Sequence, residues 1–147
     1  MFDDAFFNRP AHLINRVARL MTRVGEARLK PLGFSPAQLP VLGALVRHGA
    51  LSQKALAEGG QIEQPSMAQM LSRMERDGLV TRRPDPDDGR ASLYSLTDKA
   101  RDHLPALAEA LTAGGHEALA GFSAEEEETL RRLLKRIIAN LEAMTGG

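Results

Sequence analysis

The sequence predicts a mostly α-helical fold that carries one small β-hairpin, and three observations lead to this prediction. Apolar residues recur at helical spacing near both ends of the chain. Two shorter helical patterns, separated by a pair of glycines, occupy the middle. After Gly78 the apolar period changes from about 3.6 to 2, and a run of prolines, aspartates and a glycine separates two short strands.

The first two helices are predicted from apolar stripes and from start and stop signals. Residues 9–32 form the first helix, which Pro31 and Gly33 end. Its apolar stripe consists of Leu13, Val17, Leu20 and Val24. Ser35 followed by Pro36 predicts the start of the second helix. Pro40 then falls inside that helix, where we expect it to cost one backbone hydrogen bond and cause a slight kink.

The middle of the chain predicts a winged helix-turn-helix, over residues 35–97. Ser52 caps a short helix from Gln53 to Glu58 that stops at Gly59-Gly60, and Pro65 starts the next helix, which ends before Gly78. A short helix, a tight turn and a second helix form a helix-turn-helix. Strands at 79–83 and 91–96 then make a hairpin, the wing. On the second helix of the pair we expect four residues to face inward: Met67, Met70, Leu71 and Met74.

The C-terminal segment predicts two further helices. Thr97-Asp98 caps a long helix, and Ser123 with Glu126 forms a capping box for the last one. Residues predicted to face inward on the long segment are Leu104, Leu107, Leu111, Ala118 and Phe122. The last helix carries the stripe Leu130, Leu133, Leu134, Ile137, Ile138 and Leu141.

Terminal helices with such wide apolar stripes are too extensive for the compact middle to cover. We therefore expect an obligate homodimer, with residues 1–34 as an N-terminal arm and dimerisation helix and 98–147 as C-terminal dimerisation helices. Phe2, Phe6 and Phe7 crowd the N-terminal arm. Whether this arm docks on its own chain or on the partner stays open.

Composition excludes several classes of function. The chain has no cysteine, which excludes disulfides, thiolate catalysis and cysteine-ligated metals. Its four histidines lack metal-ligand spacing, and no Ser/His/Asp set or phosphate-binding loop stands out, so we expect neither enzyme activity nor a metal or cofactor. No apolar run approaches the about 20 residues of a membrane span, and a cytoplasmic location is expected.

The zero net charge conceals a strong segregation of charge. Residues 5–54 hold eight Lys/Arg and one Glu, whereas residues 102–128 hold seven acidic residues and no Lys/Arg. The helix-turn-helix and wing stretch, 55–101, holds seven basic and eight acidic residues. A nearly neutral stretch predicts modest non-specific affinity for nucleic acid, so that a few placed side chains must supply specificity.

The outward side of the second helix carries side chains suited to base contact. In a helix-turn-helix the N-terminal residues of this helix enter the major groove of duplex DNA. Gln pairs with adenine, Ser with several base edges, Ala with the thymine methyl, and Arg with guanine or phosphate. On an isolated helix a solvated polar face is the better interpretation, but the position of this helix just before a wing favours DNA. The candidates are Gln64, Ser66, Ala68, Gln69, Arg73 and Arg76.

The wing and the start of the first short helix supply further candidates. Arg90 follows the Asp88-Gly89 turn, where an arginine suits a narrow minor groove, although a surface ion pair is the simpler alternative. Arg83, Ser52 and Lys54 are candidate DNA backbone contacts. Arg83 and Lys54 are equally explained as solvated surface charges.

Five short motifs occur in order along residues 34–100. They are Phe34-Ser35-Pro36-x-Gln38 with Val41-Leu42, Leu56-Ala57, Met74-Glu75-Arg76-Asp77-Gly78-Leu79-Val80-Thr81-Arg82, Asp85-Pro86-x-Asp88-Gly89-Arg90, and Leu96-Thr97. In this order and spacing they resemble the MarR (multiple antibiotic resistance regulator) family of winged-helix transcriptional regulators.

The resemblance implies a sequence-specific regulator of transcription that acts as a homodimer on a pseudo-palindromic operator. Repression, released by a small lipophilic or phenolic effector, is the common mode in the family. It also implies that Asp88 orients the wing arginine, whereas Gly89 stands where many relatives have a second arginine. Residues that would bind an effector are not identified, although Arg16, His12 and His48 are candidate polar groups. The alternative is a winged-helix module that binds protein and not DNA.

Overall fold

The structure, a computed structural model, describes residues 2–146. The chain divides into two compact units, residues 1–111 and 112–147. The helices are α1 (Asp4–Phe7), α2 (Pro10–Leu29), α3 (Leu39–His48), α4 (Gln53–Gly60), α5 (Gln64–Arg76), α6 (Asp98–Ala118) and α7 (Ala124–Thr145). The strands are β1 (Ala50–Ser52), β2 (Val80–Pro84) and β3 (Ser92–Leu96). The predicted fold class, mostly helical with a small wing, is confirmed.

The predicted first helix is confirmed, with a tighter end than expected. α2 begins at Pro10, and residues Lys30–Leu32 continue it as a 3₁₀ turn. Gly33 then takes a φ of 83°, which residues with a Cβ rarely adopt, and the chain turns toward α3.

Two predicted details of the next helices are wrong. Ser35 does start a turn, but Pro36–Gln38 is 3₁₀ and the α-helix starts only at Leu39. Pro40 therefore lies in the first turn of α3 and not in the helix interior. In the first turn a backbone amide has no hydrogen-bond partner within the helix, so a proline costs no hydrogen bond there. Likewise α4 includes Gly59 and Gly60, and Gln61, at φ 52°, is the residue that ends it.

The sheet has three strands, one more than the sequence pattern predicted. Both strands of the wing are confirmed to within one residue, and β3 pairs antiparallel with β2, with Val80 opposite Leu96. β1, directly before α4, pairs antiparallel with the other edge of β3, and Leu51 lies opposite Tyr94. The strand order is β1-β3-β2.

The core of the first unit lies between α3, α4, α5 and the sheet. Its largest side chains with less than 2% exposure are Leu29, Leu45, Met67, Leu71, Met74, Val41 and Val80. Two residues of α6 join this core, Ala100 and Leu107, whereas Leu111 is exposed, contrary to prediction. Within the part of the chain that the structure describes, no polar or charged residue is buried.

The N-terminal arm forms the short helix α1, which the sequence did not predict. Asp3 caps it by accepting a hydrogen bond from the Phe6 amide. The Phe6 ring lies in edge-to-face geometry with the rings of Phe2 and Phe7, with centroids 4.9 and 5.5 Å apart. The Phe7 and His12 ring centroids are 5.1 Å apart. Phe2 and Phe7 nevertheless stay exposed, so docking of the arm on a partner remains an open prediction.

The second unit contains the end of α6 and the whole of α7. Ser123 and Glu126 form the predicted capping box, with hydrogen bonds of 3.0 and 3.1 Å. The backbone amide of Ser123, and then its hydroxyl, lower the pKa of the Glu126 carboxyl from its ordinary value. No residue of α7 is buried, and Ala118 and Phe122, predicted to face inward, are exposed as well.

No helix among residues 2–146 has the length and apolar composition that crossing a bilayer needs. The assignment of dimerisation to residues 1–34 and 98–147, and of DNA binding to residues 35–97, stays a prediction.

Candidate nucleic-acid interface

α5 presents one fully buried side and one exposed polar side. Met67, Leu71 and Met74 recur at spacings of four and three, and each has 0% exposure. This burial fixes the rotation of the helix about its own axis, and five of the six predicted residues on it are exposed: Gln64, Ser66, Gln69, Arg73 and Arg76. Ala68, predicted to face outward, is half-buried because it lies at the border of the buried side.

Three of these residues lie along one groove. Ser66, Gln69 and Arg73, which we call the outer face of α5, line a cleft of about 200 Å³ together with Met70. The opposite wall comes from the turn that precedes α3, through Ser35, Ala37 and Gln38. Sequence reasoning recognised Ser35 as a helix cap but could not place it beside α5, because the two segments lie about thirty residues apart along the chain.

Arg76 does not join this group. It lies at the end of α5, where its guanidinium is 3.6 Å from the Asp77 carboxylate. It lines a separate cleft of about 450 Å³, whose other ionisable residues are Asp77, Lys99 and His103.

The start of α4 is joined to the start of α5. The Ser52 hydroxyl accepts a hydrogen bond from the Ala55 amide at 3.1 Å, which caps α4 as predicted. The Gln53 side-chain amide donates to the Gln64 carbonyl at 3.4 Å. Lys54, in the first turn of α4, is exposed. One side-chain hydrogen bond thus joins the start of α4 to the start of α5, from which Gln64 and Ser66 project.

The wing loop is held by its own aspartates. The Asp88 carboxylate accepts a hydrogen bond from the Arg90 amide at 3.0 Å, and the Asp88 carbonyl accepts one from Ala91 at 3.0 Å. Asp85 accepts a similar bond from the Asp87 amide at 2.9 Å. Two of the three loop carboxylates are therefore directed at the backbone, and Asp88 holds the chain at the residue from which the Arg90 side chain extends.

β2 carries two arginines with different surroundings. Arg83 is exposed, as predicted. Its neighbour Arg82 lies 3.3 Å from the Glu75 carboxylate on α5, so an ion pair joins the wing to the helix. The sequence contains both residues of this pair but gives no signal that they meet. Such an exposed pair contributes little stability, on the order of 0–1 kcal/mol.

The chain is similar to known proteins in sequence and in structure. The sequence model of the MarR family matches residues 32–91, from the turn before α3 to the end of the wing loop. The chain is 26% identical over 129 residues to the uncharacterized HTH-type transcriptional regulator YybA of Bacillus subtilis (strain 168), covering 88% of this chain and 86% of YybA.

The fold also matches solved structures almost over its full length. A mutant of MarR from E. coli complexed with operator DNA gives a TM-score of 0.82 at 25% identity, covering 92% of this chain and 99% of that one. The chain is thus similar to MarR-family regulators both in sequence and in fold. PcaV from Streptomyces coelicolor, in complex with its natural ligand, gives 0.78 at 26% identity, covering 95% of this chain and 98% of PcaV.

These matches confirm the resemblance that the sequence motifs indicated. MarR-family proteins are transcriptional regulators that bind DNA and are not enzymes, as expected for this chain.

Proposed function

We propose that the protein is a homodimeric regulator that binds a specific, pseudo-palindromic DNA sequence and represses transcription. One observation carries the proposal. The outer face of α5 places Ser66, Gln69 and Arg73 in solvent, while the opposite side of the helix has no exposure at all. A helix held rigidly from behind, with base-pairing side chains in front, is the arrangement that direct readout of a major groove needs.

In this proposal each residue of α5 contacts a different part of the DNA, according to its position on the helix. Gln64 and Ser66 lie in the first turn, which goes deepest into the groove, and Gln69 follows one turn later. Gln69 pairs with adenine, and Arg73 contacts guanine or a phosphate. The Ala68 methyl meets a thymine methyl if the DNA closes on the half-buried edge of the helix. Arg76, at the end of α5, contacts the sugar-phosphate backbone of the DNA.

The wing and the start of α4 would hold the flanking DNA. Arg90 enters the neighbouring minor groove, with its backbone held by Asp88. Arg83 on β2 and Lys54 and Ser52 at the start of α4 contact phosphates, which fix the register of the protein without reading sequence. The operator complex of the E. coli MarR mutant supports a DNA-bound state for this fold.

The uncovered apolar faces support the homodimer. In the first unit α2 exposes Leu13, Val17, Leu20, Met21 and Val24, each between 43% and 54%. In the second unit α7 exposes Leu133, Leu134, Ile138, Leu141 and Met144. Contiguous apolar surface on successive turns of a helix marks an interface. A second copy related by a two-fold axis would cover it and set two α5 helices about one turn of DNA, roughly 10 bp, apart.

An effector that releases the DNA completes the proposal. PcaV has been solved with its natural ligand, which supports ligand binding within this fold. We propose a small lipophilic or phenolic molecule for this chain, with no residues assigned to it.

The test is binding to a duplex from upstream of the protein's own gene, measured by fluorescence anisotropy against a shuffled duplex of equal length. We expect the upstream duplex to bind at least about a thousandfold more tightly. Both affinities should fall steeply as salt rises from about 50 to about 200 mM, because bound phosphates release counterions. Equal affinity for the two duplexes, or no binding at the lowest salt, would contradict the proposal.

A further inference from the structure

The end of α5 and the turn after it, residues 75–78, are joined to β2, to α6 and to Thr97, the residue between β3 and α6. The Glu75 carboxylate pairs with Arg82 on β2. The Asp77 carbonyl accepts a hydrogen bond from the Lys99 ammonium of α6 at 2.9 Å. The Gly78 carbonyl accepts one from the Thr97 hydroxyl at 2.5 Å. This concentration of contacts lies where the helix ends and the wing begins.

Gly78 is the residue at which the chain changes direction. Its φ of 74° lies in the region that glycine adopts without strain, and it connects α5 to β2. A glycine in this position also leaves the backbone free to move, because no Cβ restricts rotation. Val80 in the core and the Glu75–Arg82 pair already limit the movement of β2, and a contact to Gly78 restricts it at the point where the chain turns.

Thr97 supplies that contact and makes two others. Its hydroxyl donates to the Gly78 carbonyl and accepts from the Ala100 amide at 3.1 Å, which caps α6. Its own amide donates to the Leu79 carbonyl at 3.1 Å. Because Thr97 directly follows β3, these bonds close the base of the wing and connect it to both neighbouring helices. The side chain is half-buried, so water competes less for these bonds than on an open surface.

We infer that Thr97 is a positioning residue that sets the angle between the wing and α5. This inference rests on the proposed function, since the angle matters because Gln69 and Arg90 must contact one duplex at the same time. β2 extends about 13 Å from this base, so a swing of about 10° would displace the wing loop by roughly 2 Å. Hydrogen bonds tolerate about 0.5 Å in length, and a loose base would thus forfeit the contacts of Arg90.

The first experiment measures the wing without DNA. Because the chain has no cysteine, Ser72→Cys on α5 and Asp87→Cys in the wing loop, both exposed, create the only two thiols for spin labels. Thr97→Val keeps the shape of the side chain and removes both hydroxyl hydrogen bonds, whereas Thr97→Ser keeps the hydroxyl. We expect the distribution of distances between the labels to broaden in Thr97→Val and to match the wild type in Thr97→Ser. Equal widths in all three proteins would overturn the inference.

The second experiment measures coupling on DNA. Arg90→Ala is introduced into the wild type and into Thr97→Val, and the affinity for the upstream duplex is determined for all four proteins. We expect the loss caused by Arg90→Ala to be at least about threefold smaller in the Thr97→Val background, because the wing is already displaced there. Thr81→Val, the same chemical change on exposed β2, is the control and should leave the Arg90→Ala loss unchanged.

The two experiments separate this inference from the proposed function. Additive losses from Thr97→Val and Arg90→Ala, in proteins with equal melting temperatures, would overturn the positioning role while leaving DNA binding intact. If the wild type binds neither duplex, the proposed function fails, and the label distances still decide whether Thr97 holds the wing.

Discussion

α5 and α7 carry the same kind of apolar stripe but differ in what covers it. On α5 the residues Met67, Leu71 and Met74 are covered completely within the first unit. On α7, in the second unit, none of the residues is buried, and Leu134 and Ile138 are 39% and 52% exposed. Helical periodicity therefore predicts that a face will be covered, but it does not predict by what.

The proposed function gives the two helices opposite roles. α5 is anchored by its apolar side, which leaves its polar side free to contact a ligand. In the proposed homodimer α7 offers its apolar side as the surface for contact, and its polar side, with the Glu127–Arg131 pair at 3.0 Å, faces solvent. The predictions below test this contrast, from the largest expected effect to the smallest.

Truncating the anchor of α5 should unfold the protein more readily than truncating any exposed residue of the same helix. Leu71→Ala removes a side chain with no exposure and leaves a cavity, so we expect a loss of about 2–5 kcal/mol in the free energy of unfolding. Ser72→Ala, the next residue and exposed, should change it by less than about 0.5 kcal/mol. Urea denaturation at one fixed protein concentration measures both variants, and similar losses would break the contrast.

A charge on the apolar face of α7 should separate the proposed dimer without unfolding the protein. Ile138→Glu places a carboxylate where a partner would cover it, and we expect the dimer to dissociate at roughly tenfold to hundredfold higher protein concentration. Ala139→Glu introduces the same residue on the opposite side of the helix and should leave the dimer intact. Sedimentation velocity distinguishes them, and a wild type that stays monomeric at micromolar concentration would contradict the dimer itself.

Removing the carboxylate of Asp88 should affect the wing alone. Asp88→Ala loses the bond to the Arg90 amide, and we expect about a threefold to tenfold loss of affinity for the upstream duplex with little change in stability. Asp88→Asn keeps an acceptor oxygen in the same place and should retain most of the affinity. If Asp88→Asn is as weak as Asp88→Ala, the hydrogen bond is not what matters at this position.

Local sequence signals predicted most of the elements, because each depends on neighbours along the chain. The Ser52 cap, the Ser123–Glu126 capping box and the turn chemistry of residues 84–90 are signals of this kind, and the structure confirms all three. Pro40 was misplaced because a 3₁₀ turn and an α-helix share the same start signal at Ser35-Pro36. β1 was missed because three residues carry no periodicity, and only pairing with β3 makes them a strand.

The candidate site was predictable as a set of side chains but not as a geometry. The spacing of Ser66, Gln69 and Arg73 predicts that they lie on one outward side of α5, and in the structure all three are exposed. The Ser35–Gln38 wall of the cleft, the Glu75–Arg82 pair and the Thr97–Gly78 bond all join residues that are distant in sequence. Such contacts follow from packing of the whole unit, and no local pattern encodes them.

The central claim is that the outer face of α5 reads DNA sequence, and the near-neutral charge of residues 55–101 makes this claim directly testable. Seven basic and eight acidic residues in this stretch leave little general attraction to DNA, so specificity must depend on individual side chains. The decisive measurement is the affinity of Gln69→Ala for the upstream duplex and for a shuffled duplex at one salt concentration. We predict a loss of about tenfold or more on the upstream duplex and almost none on the shuffled one. Equal losses on both duplexes would contradict the claim that the outer face of α5 reads DNA sequence.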